Sequence, residues 1–223
     1  MTLEATLFDM DGLLIDSEIL WHEAEIEIFG ALGVDLDDAT DRSTKGLFVA
    51  EVVDYWHERY PWSRPSKAEV VDLLLARVGE LIETKGRMLP GAERAIALCA
   101  ARGPVALASS TPLDLIERAL GHFGLRERFV SLHSAEFEPY GKPHPGVFLT
   151  AARALGVAPE RCLVLEDSAA GVLAAKAGRM TVVAVPTAAD RGLATFSLAD
   201  LVLDSLEDVS EEWLDEHFVA SRA

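Results

Sequence analysis

Two aspartates stand one residue apart where a short apolar run ends: Ala5-Thr6-Leu7-Phe8 leads directly into Asp9-Met10-Asp11-Gly12. Other polar residues follow other apolar runs in the same way. Ser109-Ser110 comes after Val105-Ala106-Leu107-Ala108, and Glu166-Asp167 after Cys162-Leu163-Val164-Leu165. Lys142 lies in the loop Tyr140-Gly141-Lys142-Pro143-His144-Pro145, beyond a weaker run. Carboxylates, hydroxyls and an ammonium delivered together suit phosphoryl transfer through a covalent intermediate. Asp9 can attack phosphorus in line and form an acyl phosphate. Asp11 can protonate the leaving alkoxide and then take the proton from the attacking water. Hard oxygen donors from Asp9, Asp167 and a backbone carbonyl favour Mg²⁺, which would hold nucleophile and phosphate together despite their like charges. Ser109, Lys142 and nearby backbone N–H groups would stabilise the equatorial oxygens, over which charge spreads in the transition state.

These residues need elements to bring them together. The apolar runs lack polar alternation, as strands of a parallel sheet buried on both faces do. Thr181-Val182-Val183-Ala184-Val185 is a fourth such run; Phe129-Val130-Ser131-Leu132 and Asp200-Leu201-Val202-Leu203 are weaker ones. Helical patterns lie between them. Residues 112–123 open on Pro and place Leu113, Ile116, Leu120 and Phe123 on one stripe, while residues 145–155 and 168–177 end before Gly156 and Gly178. The alternation predicts an α/β class with a Rossmann-like parallel sheet core, and in such sheets ligands bind beyond the carboxyl ends of the strands. One stretch breaks it. Residues 18–32, 47–59 and 66–84 read as helices only, punctuated by Gly33, Tyr60-Pro61-Trp62-Ser63-Arg64-Pro65 and Gly86. The expected division is therefore a core of residues 1–15 and 87–223, with a helical cap of residues 16–86 inserted after the first strand. Residues 204–218 read as an acidic, solvated helix.

Taken singly, each polar cluster has a plain structural explanation. An Asp-x-Asp pair is usually a turn, Ser109-Ser110-Thr111-Pro112 and Glu166-Asp167-Ser168 suit helix N-termini, and Lys142 resembles any loop lysine. Their joint order after successive strands is what argues for chemistry. The histidines show no metal-ligand spacing, and Trp21, Trp56 and Trp62 are expected to pack rather than to meet substrate. Lys45, beside Gly46, is expected to approach substrate from the cap, and Ser110 to accompany Ser109 at the phosphate.

The 223 residues carry 37 acidic side chains against 20 Lys and Arg, a formal charge of −17. That field repels phosphate backbones and anionic lipid, which argues against nucleic-acid or membrane-surface binding. An anionic substrate then requires local cations, which Lys142 and the metal would supply. The first residues, with Glu4, Asp9 and Asp11, do not resemble a signal peptide. Cys99 and Cys162 are too few for a disulfide framework or a zinc cage. A cytoplasmic monomer acting on a small molecule is expected.

Asp9-Met10-Asp11-Gly12-Leu13-Leu14-Ile15-Asp16-Ser17-Glu18 resembles the first motif of the haloacid dehalogenase-like hydrolases, with Ser109, Lys142 and Glu166-Asp167 where that superfamily has its later motifs. Leu89-Pro90-Gly91, Lys142-Pro143-His144-Pro145 and Leu165-Glu166-Asp167-Ser168 with Gly171 resemble the branch of β-phosphoglucomutase and small sugar-phosphate phosphatases. Trp21, Val52-Val53-Asp54 and Pro61-Trp62 look most like the hexitol (2-deoxyglucose-6-phosphate) phosphatases. The resemblance implies a nucleophile at Asp9, an acid/base at Asp11, and Mg²⁺ on Asp9, the Asp11 carbonyl and Asp167 with Glu166 nearby. It also implies phosphate contacts from Ser109 and Lys142, and a cap that shelters the acyl phosphate from water. Two positions depart from the pattern: Phe48 where relatives carry Arg after Gly-Leu, and Ala170 where they often carry Asn. The expected activity is hydrolysis of a sugar or sugar-alcohol phosphomonoester. The alternatives are a phosphomutase and a non-catalytic binding protein on the same fold; a dehalogenase would not need Asp11.

Overall fold

The computed structural model describes residues 2–36 and 47–218. Six strands form one wholly parallel sheet: β1 (Ala5–Phe8), β2 (Val105–Ser109), β3 (Ser131–Ser134), β4 (Cys162–Glu166), β5 (Thr181–Ala184) and β6 (Leu201–Val202). Their spatial order is β3-β2-β1-β4-β5-β6, with β1 paired to both β2 and β4. The chain's path therefore reverses between β1 and β4, the point of a doubly wound sheet where ligands bind. Side chains alternate along the strands. Ala5, Leu7, Ala106, Ala108, Val164 and Val182 enter one buried cluster, while Phe8, Leu107, Leu163, Leu165 and Val183 enter a second on the opposite face. Period-two alternation of apolar residues on both faces is why no charged residue interrupts these runs, the small Thr6 being the one polar side chain within β1.

Among the described residues, four helices lie between β1 and β2, and the first three are α1 (Glu18–Ala31), α2 (Val49–Arg59) and α3 (Lys67–Lys85). They agree with the expected helices to within two residues at every end. Ser66 caps α3 in a reciprocal box, accepting from Glu69 N while the Glu69 carboxylate accepts from Ser66 N at 2.7 Å. Trp56 and Phe29 are fully buried with ring centroids 6.1 Å apart, and they join α2 to α1. Trp62 packs on the same ring. The chain leaves and re-enters the α/β core along paired segments: Ile15 bridges Met88 antiparallel, Asp16 N donates to Arg87 O at 2.9 Å, and Leu89 N donates to Leu14 O at 2.9 Å.

The remaining helices are α4 (Ala92–Ala100), α5 (Leu113–His122), α6 (Gly146–Leu155), α7 (Ala169–Ala177) and α8 (Glu211–His217). Helix α4 was not foreseen. It starts at Gly91, whose φ is +83° and which offers no side-chain cap, so Glu93 in the first turn is left as a weak N-terminal signal. Strand β3 lies two residues beyond the expected run, because Phe129 is buried from the preceding loop and the edge strand tolerates Ser131, His133 and Ser134. The C-terminal stretch is a short 3₁₀ turn, Leu206–Asp208, followed by α8, not one continuous helix. Both cysteines are buried, and burial pushes each thiol up to about 12, so neither serves as a nucleophile. Among the described residues no helix is long and apolar enough to cross a membrane.

Candidate active site

Asp9 follows β1, Ser109 ends β2, Glu166 ends β4 and Asp167 follows it, so the parallel sheet delivers these groups to one edge. Lys142 arrives on the loop after β3. All five are nearly inaccessible to solvent, with exposures of 6% for Asp9, 3% for Lys142 and 0% for Glu166. Burying charge is tolerable only with compensation, and Lys142 supplies it. Its Nζ donates to Asp9 Oδ1 at 2.6 Å, to Glu166 Oε1 at 2.6 Å and to the Ala108 carbonyl at 3.2 Å, and it stands 4.7 Å from the Phe148 ring centre. An ammonium has three donors, and these acceptors take all three. Burial alone would pull the Lys142 pKa down, but Asp9 and Glu166 outweigh it and the net shift is upward. Burial pushes the Asp9 carboxyl up to about 7; Lys142 opposes the rise, while Glu166 and Asp11 add to it.

Glu166 is held from its other side as well. Its Oε2 accepts from Ser168 N at 2.8 Å and from Ser168 Oγ at 2.9 Å, and that hydroxyl accepts from Gly171 N at 3.0 Å at the start of α7. Ser168 is thus both helix cap and carboxylate partner. Glycine at 171 is a requirement of packing: a Cβ there would lie 1.7 Å from Glu166 Oε1. Gly12 is a second such position, where φ is +73° and a Cβ would lie 2.4 Å from Asp167 Oδ2.

Asp11 is only partly buried and hangs in a different network. Its Oδ1 accepts from Ser17 Oγ at 2.6 Å and from Trp21 Nε1 at 3.2 Å; its Oδ2 accepts from Thr111 Oγ1 at 2.6 Å and from Ser109 Oγ at a marginal 3.5 Å. Ser17, Thr111 and Trp21 were not singled out as site residues from sequence. Ser17 precedes α1 like an ordinary N-cap, yet its hydroxyl makes no cap bond and goes to Asp11. Trp21 does pack against the apolar cluster, but its indole N–H reaches Asp11.

Asp9, Glu166 and Asp167 each offer a carboxylate oxygen such that all three lie within 4.8 Å of one another. Three buried, hard, anionic oxygens fit Mg²⁺ better than a softer ion. A cavity of about 280 Å³ opens over them, lined also by Asp11, Ser109, Ser110 and Lys142 from the core and by Glu18, His22, Glu25 and Leu47 from the helical insert. The sequence-predicted residues Asp9, Asp11, Ser109, Ser110, Lys142, Glu166 and Asp167 therefore share one cleft. Lys45 lies outside the described residues.

A family model described as haloacid dehalogenase-like hydrolase matches residues 3–179. Hexitol phosphatase B of Escherichia coli K12 is 46% identical over 208 residues, which cover 92% of this chain and 94% of that protein. Among solved structures, CbbY from Rhodobacter sphaeroides in complex with phosphate aligns with a TM-score of 0.83 at 30% identity, covering 93% of this chain and 96% of its own. A β-phosphoglucomutase from Clostridium difficile aligns at 0.82 with 26% identity, covering 96% of both chains. With its parallel sheet of order β3-β2-β1-β4-β5-β6 and its carboxylates gathered where that order reverses, the chain belongs to the haloacid dehalogenase-like hydrolases, in their β-phosphoglucomutase-like branch, and is a phosphatase.

Proposed function

We propose that this phosphatase is Mg²⁺-dependent and hydrolyses a small sugar or sugar-alcohol phosphomonoester through a phosphorylated Asp9. The observation that carries the reading is the buried grouping of Asp9, Glu166 and Asp167 around one point, with Lys142 2.6 Å from Asp9 and Asp11 at the same cleft. Asp9, Asp167 and the Asp11 carbonyl would hold the ion, with Glu166 behind them braced by Lys142 and Ser168. When bound, the ion supplies charge neutralisation for nucleophile and phosphate.

The chain's own groups do the rest. A carboxylate oxygen of Asp9 forms a bond to phosphorus as the ester P–O bond breaks, and the departing alkoxide takes a proton from Asp11. In the second half Asp11, now a carboxylate, takes a proton from water, whose oxygen attacks phosphorus and frees Asp9. Ser109, Ser110 and the charge of Lys142 stabilise the phosphoryl oxygens. With its three donors already engaged, Lys142 acts on phosphate first through charge and exchanges a hydrogen bond only if the Ala108 carbonyl yields one.

Residues 16–86 act as the cap. The paired crossings at 14–16 and 87–89 support boundaries there, and Glu18, His22 and Glu25 of α1 then face the leaving group. Carboxylates accept hydrogen bonds from hydroxyls and repel a second anion, which supports a neutral polyol as the alcohol released. Lys45 is retained as a candidate substrate contact. The similarity of this chain to hexitol phosphatase B supports the same class of substrate.

A sugar phosphomutase is the second reading, supported by the likeness to β-phosphoglucomutase; its bisphosphate intermediate fits poorly with an acidic leaving-group wall. Phosphate release with Mg²⁺ across hexitol, hexose and pentose phosphates tests the proposal, with hexitol phosphates expected among the best. Asp9→Asn is expected to abolish turnover while the fold stays intact. No release from any ester refutes the reading. Isomer in place of free phosphate, from glucose 1-phosphate with a bisphosphate primer, establishes the mutase.

A further inference from the structure

We propose that Phe148 is a positioning residue for Lys142: the face of its ring steadies the buried ammonium and leaves an N–H group to be exchanged onto a phosphoryl oxygen. The proposal rests on the role given above to Lys142 at the phosphate. Phe148 lies in the first turn of α6, six residues after Lys142, and is fully buried. Small neighbours prepare its place. Ala5 of β1 and Ala106 and Ala108 of β2 belong to the same buried cluster, where their methyl groups leave the room that one large ring fills. The ring lies under Lys142 Nζ, 4.7 Å from its centre. That is inside the range of about 6 Å over which an ammonium is attracted to an aromatic face.

The hydrogen bonds and the ring do different work. Asp9, Glu166 and the Ala108 carbonyl take all three N–H donors. To touch a phosphoryl oxygen Lys142 must release one of them, and the 3.2 Å bond to Ala108 is the longest. With 3% of the residue exposed, the ammonium has little water to turn to. An aliphatic side chain at 148 would leave that charge against hydrocarbon, which is costly. A further oxygen there would compete with phosphate for the released donor. The aromatic face does neither. Its attraction is to the charge and not to a particular N–H, so it persists while the donor changes partner.

Replacing Phe148 by mono-, di- and trifluorinated phenylalanine keeps the ring nearly constant in shape and drains its face of negative charge stepwise. With glucitol 6-phosphate and Mg²⁺, log kcat/KM is expected to fall in step with the number of fluorines, by about tenfold for the trifluorinated ring. The loss is expected chiefly in kcat, because the charge on the phosphoryl oxygens is redistributed in the transition state. Phe148→Leu, which keeps apolar bulk without an aromatic face, is expected to lose at least as much. A packing role alone predicts a flat series, since each fluorinated ring is as bulky and as apolar as the parent. A flat series therefore overturns the proposal, whether or not Phe148→Leu folds.

Wild-type protein inactive on every phosphate ester would refute the phosphatase reading and, with it, the role given to the ring. The contact has its own measure, which needs no turnover. A ring face shifts the protons above it upfield. The chain has five lysines, and in intact protein carrying isotope-labelled lysine one set of Cε–H resonances is expected well upfield of the other four. Lys142→Arg is expected to remove that set. Five alike in the wild-type spectrum overturn the contact.

Discussion

Gly171→Ala sets two ordinary rules against each other and lets magnitude decide. In the first turn of a helix, replacing Gly by Ala is worth about 1 kcal/mol of stabilisation. Here the new Cβ would lie 1.7 Å from Glu166 Oε1 and 2.5 Å from Oε2, on a side chain with no solvent exposure. The carboxylate must retreat, and its 2.6 Å bond to Lys142 and its two bonds from Ser168 go with it. Breaking a buried ion pair costs about 3–5 kcal/mol, so the net effect is a loss of about 2–4 kcal/mol. For a chain of this size that is a fall of roughly 5–15 °C in Tm. Thermal unfolding by calorimetry measures it directly. Phosphate release should fall in parallel, because Glu166 braces the lysine that faces Asp9. A variant as stable as the parent, or more stable, would show that helix propensity outweighs the glutamate's placement and would refute the reasoning.

Gly121→Ala in α5 is the matching control: a Cβ there meets nothing within 4 Å, so a gain of about 0.5–1 kcal/mol is expected in the same melts. Thr111→Val removes the 2.6 Å donor to Asp11 Oδ2 without changing volume; loss of a hydrogen bond to a charged group predicts a drop of about 10–100-fold in kcat, with KM little changed. The raised Asp9 pKa gives a pH signature. The folded, metal-free chain keeps a proton there that the unfolded chain releases near pH 4, so the associated stability is present below that pH and is lost as pH rises through about 7. Melts of chelator-treated protein from pH 5 to 8 should show Tm falling, with a shallower slope in Asp9→Asn; an unchanged slope in that variant would count against the shift.

The sheet was legible because burial on both faces leaves mostly apolar residues in its central strands, and Leu163, Val164 and Leu165 announce that without any partner in view. What surrounds the sheet was less so. Helix α4 begins on a left-handed glycine and carries no side-chain cap, so only Glu93 in its first turn marks its start along the sequence. Strand β3 is an edge, where Ser131 and His133 cost little, and the apolar run that seemed to mark it belongs partly to the loop burying Phe129. That Asp9, Asp11, Lys142 and Asp167 meet in one cleft was readable from residue type and position after strands. Their supporting partners were not. Ser17 looks like a cap and Trp21 like packing, and only the folded chain brings their polar atoms to a carboxylate six and ten residues away.

The antiparallel pairing of residues 14–16 with 87–89 means that the helical segment departs and returns through adjacent rungs. Its two ends are neighbours, so a tight turn could join Ile15 to Met88 with no strand of the sheet having to be rerouted. The helical segment is therefore separable in connectivity from the sheet: its replacement would leave Asp9 and Asp167 where the strands set them. On the proposed cap role of residues 16–86, choice of substrate would then change by replacing a cassette, with the groups at the sheet edge left alone.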